Sequence, residues 1–254
     1  MIRNFTSVAL FLALLSACAK SDSAMTAYLS DDVSTAQREF KPRADQGDAQ
    51  AQYILGVMYT EGEGVPRDYS LAASWFKMAA ERGDAEAQFN LGTAYDSGLG
   101  VPKDAARAAH WYRKAAAQSQ VRAQHNLGYV YTYRIGVAAD HAQAVHLYRQ
   151  AADQGYAGAE TSLGVMYQKG WGVAQDHGEA VRWYRKAAEQ GHANAQFHLG
   201  FMYHCGSGLG QDSKQAAQWY KNSAEQGDPR AQLYLGLLHA KGEGVPRDDV
   251  TAYK

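Results

Sequence analysis

A set of residues returns every 36 positions along this chain, and that spacing limits what the chain can fold into more than any other feature. Ala51-Gln52, Ala87-Gln88, Ala123-Gln124, Ala195-Gln196 and Ala231-Gln232 share one slot, and Ala159-Glu160 fills the remaining copy. Leu55-Gly56 is matched at Leu91-Gly92, Leu127-Gly128, Leu163-Gly164, Leu199-Gly200 and Leu235-Gly236, with Tyr59, Tyr95, Tyr131, Tyr167, Tyr203 and finally His239 three residues on. A Gly-x-Gly-Val element then recurs at Gly62, Gly98, Gly170 and Gly242. An aspartate closes it in each copy: Asp68, Asp104, Asp140, Asp176, Asp212 and Asp248. The second half reads Ala-x-x-Trp-(Phe/Tyr)-x-x-Ala-Ala, as in Ala72, Trp75, Phe76, Ala79 and Ala80, with Leu147 in place of the tryptophan in the third copy.

Apolar positions in both halves fall at i, i+3, i+4 and i+7, the helical period, so each unit is two antiparallel helices. Gly62 stands where the first helix must end, because glycine accepts left-handed torsions, and Asp68 stands where a side chain can cap the second. One hairpin of this size cannot cover its own apolar faces, so the units must stack. The predicted fold is all-α: a right-handed α-solenoid of two-helix repeats. Its units are 48–83, 84–119, 120–155, 156–191 and 192–227, with an incomplete unit 228–254 and a half unit in front, the whole running 31–254. Two departures stand out. Arg134 within unit three and Ser119 just before it stand at glycine positions, which predicts irregular or weaker loops there, and Pro42 should kink or shorten the helix of the half unit.

These motifs resemble the Sel-1-like repeat family, relatives of the tetratricopeptide repeat. The resemblance implies a non-enzymatic scaffold or adaptor that binds a protein or peptide on the concave face lined by the first helices. By this resemblance the groove residues are the variable ones: Tyr53, Phe89, Arg122, His125, Tyr129, Tyr133, Lys169, Asn194, Phe197 and Phe201. Rings beside hydrogen-bonding and charged groups suit an extended peptide. A disulfide-rich branch of the same family implies the alternative, penicillin or cell-wall-peptide binding with weak β-lactamase activity. That branch has a cysteine pair in each repeat, which this chain lacks.

The amino terminus reads as an export signal. Phe5 to Leu15 is almost wholly apolar, follows Arg3, and at about 11 residues is too short to span a bilayer. Leu15-Ser16-Ala17-Cys18 resembles the lipobox of bacterial lipoproteins, in which the cysteine is acylated and becomes the first residue. This divides the start of the chain into a signal peptide, 1–17, and a lipidated tether, 18–30. Ala19 after the cysteine favours the outer membrane by the same resemblance. Ordinary cleavage near Ala17-Cys18-Ala19 would instead give a soluble periplasmic protein. The chain's only membrane contact is then the lipid.

With 25 Lys+Arg against 26 Asp+Glu, the chain is no strongly basic nucleic-acid binder. No cofactor, metal or catalytic set is expected. Ser74-Trp75-Phe76-Lys77 fits Ser-x-x-Lys, but the slot reads His110 and Arg182 in other copies, so it is an ordinary variable position. His198, His204 and Cys205 do not converge on one ion from a single helix. The Gly-x-Gly elements follow helices rather than strands, unlike a phosphate loop. The last unit stops at Ala252-Tyr253-Lys254, before its Trp-Tyr pair, so either the sequence is a fragment or that bare end self-associates.

Overall fold

A computed structural model describes residues 23–30, 32–133 and 135–248. The signal peptide, Cys18 and the last residues of the sixth unit lie outside the described residues. Thirteen helices and no strand occur among the described residues. They form two compact units, one through Lys114 and one from Ala115. The first holds α1 (Ser23–Leu29), α2 (Val33–Asp45), α3 (Ala49–Glu61), α4 (Tyr69–Glu81), α5 (Ala85–Ser97) and most of α6 (Ala105–Ala117). The second holds α7 (Val121–Tyr133), α8 (His141–Asp153), α9 (Ala157–Lys169), α10 (His177–Glu189), α11 (Ala193–Cys205), α12 (Ser213–Glu225) and α13 (Pro229–Lys241). In both, consecutive helices pack as hairpins.

The recurring residues are contacts. In the first five copies the glycine of Leu-Gly lies under a ring of the following helix: a Cβ at Gly56 would sit 2.5 Å from Phe76, at Gly92 2.7 Å from Tyr112, at Gly128 2.7 Å from Tyr148 and at Gly200 2.9 Å from Tyr220. Those rings are buried, so backbone and ring share a space that admits no side chain. The glutamine of Ala-Gln reaches back eight residues and donates Nε2 to a carbonyl at the end of the preceding helix. The bonds are Gln52 to Ala44 (2.9 Å), Gln88 to Ala80 (3.1 Å) and Gln196 to Ala188 (3.3 Å). Each of these carbonyls already accepts from the backbone N–H of the helix-ending glycine (Gly47, Gly83 and Gly191), and the next hairpin adds a second donor. Where glutamate replaces glutamine the arrangement changes. Glu160 is fully buried, accepts from Gln190 Nε2 at 2.6 Å and pairs with Lys186 Nζ at 2.9 Å, while Lys186 takes over the Ala152 carbonyl at 3.5 Å.

The loops explain Gly-x-Gly. Its first glycine is the left-handed residue after the helix, as at Gly62 (φ +76°). Its second, also left-handed, lies against the first carbonyl of the preceding second helix, as Gly172 does on His141. The closing aspartates cap as expected: Asp68 accepts from Ser70 N (2.9 Å) and Leu71 N (3.0 Å), and Asp176 and Asp212 accept from the residue three on, Glu179 N and Gln215 N (both 3.0 Å).

Three expectations need correction. Residues 18–30 are not tether throughout, because α1 occupies 23–29 and buries Ala24, Met25 and Ala27 beside α2. Pro42 does not shorten α2, which keeps the 13 residues of the later helices. Proline there forfeits one N–H bond in the last turns, and the helix continues to Asp45. In unit three the described bonds on either side of the expected irregularity match the other copies, with Ile135 N on Val130 O (3.1 Å) and Asp140 N on Tyr131 O (3.1 Å). Ser119 holds the glycine conformation at φ +63°, the one described non-glycine residue with positive φ.

Candidate functional site

On the first helices of the second unit, side chains that the fold does not need stand out at Tyr129 and Tyr133. They are 48% and 49% exposed, one turn apart on α7, with ring centroids 4.5 Å apart. Trp171 meets Tyr133 edge-on at 6.5 Å, and His141 stacks on the indole at 5.3 Å. Trp171 fills the middle of Gly170-Trp171-Gly172, a slot held by Glu63, Leu99, Ser207 and Glu243 elsewhere. Burial, and then the neighbouring Tyr129, push the Tyr133 phenol above its ordinary pKa, so it remains a neutral hydrogen-bonding group. Beneath, Tyr148 is pushed up to about 12 by burial and shares a 3.2 Å hydrogen bond with Thr132. The result is an exposed aromatic platform on a rigid base.

The other expected groove residues divide. Lys169 is exposed at the end of α9, 36 residues after Tyr133 and therefore at the same level of the next first helix. Asn194 is exposed and accepts from Arg230 at 2.8 Å, and Arg122 is half-buried in the first turn of α7. Phe201 is half-buried, 5.9 Å from Tyr234. Tyr53, Phe89 and Phe197 are core residues and not groove residues. Tyr53 packs on Phe76 (6.1 Å) and Phe89 on Tyr112 (5.9 Å). Phe197 lies between Tyr220 and Tyr234, both at 5.8 Å, with the Arg230 guanidinium 4.3 Å over its ring. His125 is also largely withdrawn from solvent. It lies against Tyr148 and Tyr156 with Nε2 3.2 Å from Ser162 Oγ, and burial pushes its pKa down.

Side chains with catalytic potential are otherwise engaged. Ser74 donates to the Ser70 carbonyl at 3.0 Å, and Lys77 lies 3.9 Å from Glu81, so the Ser-x-x-Lys match has no activated pair. Among the described residues no three His, Cys, Asp or Glu side chains are placed to hold a metal ion, and no helix is long and apolar enough to cross a membrane. Cys205 is an exposed thiol whose pKa is pushed up by burial.

Comparison with known proteins agrees with this architecture. The Sel1 repeat pattern matches residues 49–84, 85–120, 121–156, 157–192, 193–228 and 229–254, one residue off the expected unit boundaries. No curated protein matches the sequence. Among solved structures, a protective antigen present in uropathogenic Escherichia coli strains, with an SLR fold, is 36% identical over 95% of this chain, TM-score 0.80. This chain spans 54% of that one, about half its length. A Sel1 repeat protein from Oxalobacter formigenes is 33% identical, covering 91% of this chain and 92% of its own, TM-score 0.86. A sel1 repeat protein from Klebsiella pneumoniae, 22% identical over 80% of this chain and 98% of its own, shares the fold at TM-score 0.52. By the six matched repeats and the two closely similar structures, the chain belongs to the Sel1 repeat family, all-helical solenoids that generally serve as protein-interaction scaffolds.

Proposed function

We propose that the chain is a non-enzymatic adaptor of the bacterial cell envelope that captures a peptide or protein segment on the first helices of its second unit. The observation that carries this is the Tyr129, Tyr133 and Trp171 platform. Tyrosine and tryptophan offer large contact area with few torsions to freeze, and polar tips that set the register of a bound chain. Nearly half of each tyrosine faces water, although the same slots hold Val57, Thr93 and Val165, or Glu61, Ser97 and Lys169, without harm to the repeat.

Export and lipid attachment at Cys18 belong to the same reading. They rest on the apolar run Phe5 to Leu15 and on Leu15-Ser16-Ala17-Cys18. Self-association belongs to it as well, because α13 exposes Leu233 (62%) and Leu237 in slots where Phe197 and Phe201 pack against Tyr234. Photo-crosslinking from position 129 or 133 in native envelopes, followed by mass spectrometry, tests capture. A protein trapped at both positions and lost from an Arg82 control site supports it, and identical patterns at all three sites refute it. Fatty-acid labelling abolished by Cys18→Ala tests the anchor, and unlabelled soluble protein removes it. Sedimentation tests self-association, which a monomer at high concentration rules out.

A further inference from the structure

The first helices of the second unit meet across polar contacts at one level of the stack. His125 on α7 and Thr161 on α9 occupy a slot that holds Tyr53, Phe89, Phe197 and Leu233 in the other copies. His125 Nε2 lies 3.2 Å from Ser162 Oγ, and Ser162 gives its own proton to the Gly158 carbonyl at 3.0 Å. The hydroxyl oxygen must then accept, which assigns His125 as the neutral Nε2–H tautomer. Its Nδ1 is buried with no hydrogen-bond partner among the described residues. The preceding residue of α9 repeats the arrangement from the other side. Thr161 Oγ1 donates to the Ala157 carbonyl at 2.8 Å and lies 2.9 Å from His192 Nδ1. His192, the residue before α11, is therefore the Nδ1–H tautomer. Adjacent positions of α9 thus take one donor from α7 and one from the start of α11, both neutral imidazoles.

This clasp lies under the aromatic platform. His125 packs at 5.6 Å on Tyr148, the ring beneath Tyr129 and Tyr133, and at 5.2 Å on Tyr156. The platform straddles the same joint, with Tyr129 and Tyr133 on α7 and Trp171 two residues beyond α9. We propose that acid opens this joint and releases the captured segment, because a second proton on His125 or His192 puts charge into a clasp built from neutral donors. This rests on the capture reading above. At His125 the new N–H would be Nδ1, for which no acceptor is described. Burial holds the His125 pKa down; Asn126 opposes this and His192 adds to it. His192 is held down by burial, with the Glu160 carboxylate opposing, and that carboxylate is already paired with Lys186 and bonded by Gln190. The rings facing His125, Tyr148 and Tyr156, carry no charge in this pH range. The opened chain takes these protons first, so the closed joint is complete above about pH 6.5 and is lost as pH falls below it.

The test selects peptides from a random, histidine-free 12-residue library on the full chain at pH 7.5, then measures the enriched ones by fluorescence anisotropy at pH 7.5 and 5.0. Affinity should fall about fivefold or more at pH 5.0. In the double variant His125→Phe with His192→Gln, whose new side chains stand in the same slots at Phe89 and Gln120, the fall should shrink to under about twofold. His198, with a pKa of about 4, is common to both proteins and cancels in the comparison. Hydrogen exchange, corrected for the intrinsic rate, should speed up at pH 5.0 over α7 and α9 in the native chain and not in the double variant. Circular dichroism at pH 7.5 checks that the variant is folded, and His125→Gln, which keeps a donor for Ser162, replaces His125→Phe if it is not. An equal fall in both proteins, or none in the native chain, overturns acid release and leaves peptide capture standing. A fall without faster exchange in α7 and α9 also overturns it, since the pH then acts elsewhere. No enrichment over background removes both readings.

Discussion

Lys186→Met should cost stability only while Glu160 is present. In the native chain the substitution leaves a fully buried carboxylate with Gln190 as its remaining donor and strips the Ala152 carbonyl of its cation. Breaking a buried ion pair costs about 3–5 kcal/mol, but the Lys186 side chain is 52% exposed, so roughly 2 kcal/mol is expected. With Glu160→Gln in place the position regains the usual chemistry. Its amide can donate to Ala152 as Gln52 does to Ala44, and its oxygen can accept from Gln190 as Gln124 accepts from Gln154 (2.9 Å) and Gln196 from Gln226 (2.8 Å). In that background Lys186→Met should cost under about 0.5 kcal/mol, and Glu160→Gln alone should be neutral or stabilising. Urea unfolding followed at 222 nm, compared at equal slope, gives the four values of the cycle. Coupled neighbouring units make the midpoint shift the quantity to compare. An equal loss from Lys186→Met in both backgrounds would show that the lysine acts through something other than this carboxylate.

Three further outcomes are expected. Ser119→Gly should stabilise by about 1 kcal/mol, since it releases a side chain from φ +63°, and a fall in urea midpoint contradicts this. Gly128→Ala should destabilise by at least about 1–3 kcal/mol through its collision with the Tyr148 ring, and unchanged thermal unfolding would show that the ring yields freely. His198 is stacked on Tyr184 at 4.8 Å, and burial, then Arg230, holds its pKa down to about 4. The unfolded chain binds this proton first, so the stability is full above about pH 6.5 and is lost as pH falls toward 4, by about 3 kcal/mol at most. His198→Phe should flatten that part of the pH-stability curve, and an unaltered curve assigns the acid sensitivity elsewhere.

The repeat could be read from the sequence because recurring residues make the same contact in most copies. Gly56 and Phe76, or Gln52 and the Ala44 carbonyl, are pairs at fixed separation, so the spacing itself records the geometry. The face of the first helices was less legible. A helical wheel places Tyr53, Phe89 and Phe197 opposite the framework residues, but it cannot show that a ring elsewhere in the stack covers them, as Phe76, Tyr112 and Tyr220 do. His125 is covered in the same way, since Ser162 and Tyr156 belong to the next hairpin. Trp171 and His141 lie outside the first helices, beyond the reach of a helical wheel. The available signal was a bulky ring in the middle of Gly-x-Gly. The helix at 23–29 breaks the 36-residue pattern and left no periodic trace.

The donors from the Ala-Gln glutamines Gln52, Gln88, Gln196 and Gln232 land on main-chain carbonyls, and a carbonyl is the same chemical group whatever residue carries it. Joints of this kind do not depend on the identity of the side chains that meet there. A gene segment encoding one hairpin can therefore be copied in tandem and find a serviceable seam at once, without compensating mutations on either side. Lengthening or shortening such an array is an easy evolutionary step, while the variable faces are left free to diverge after each duplication.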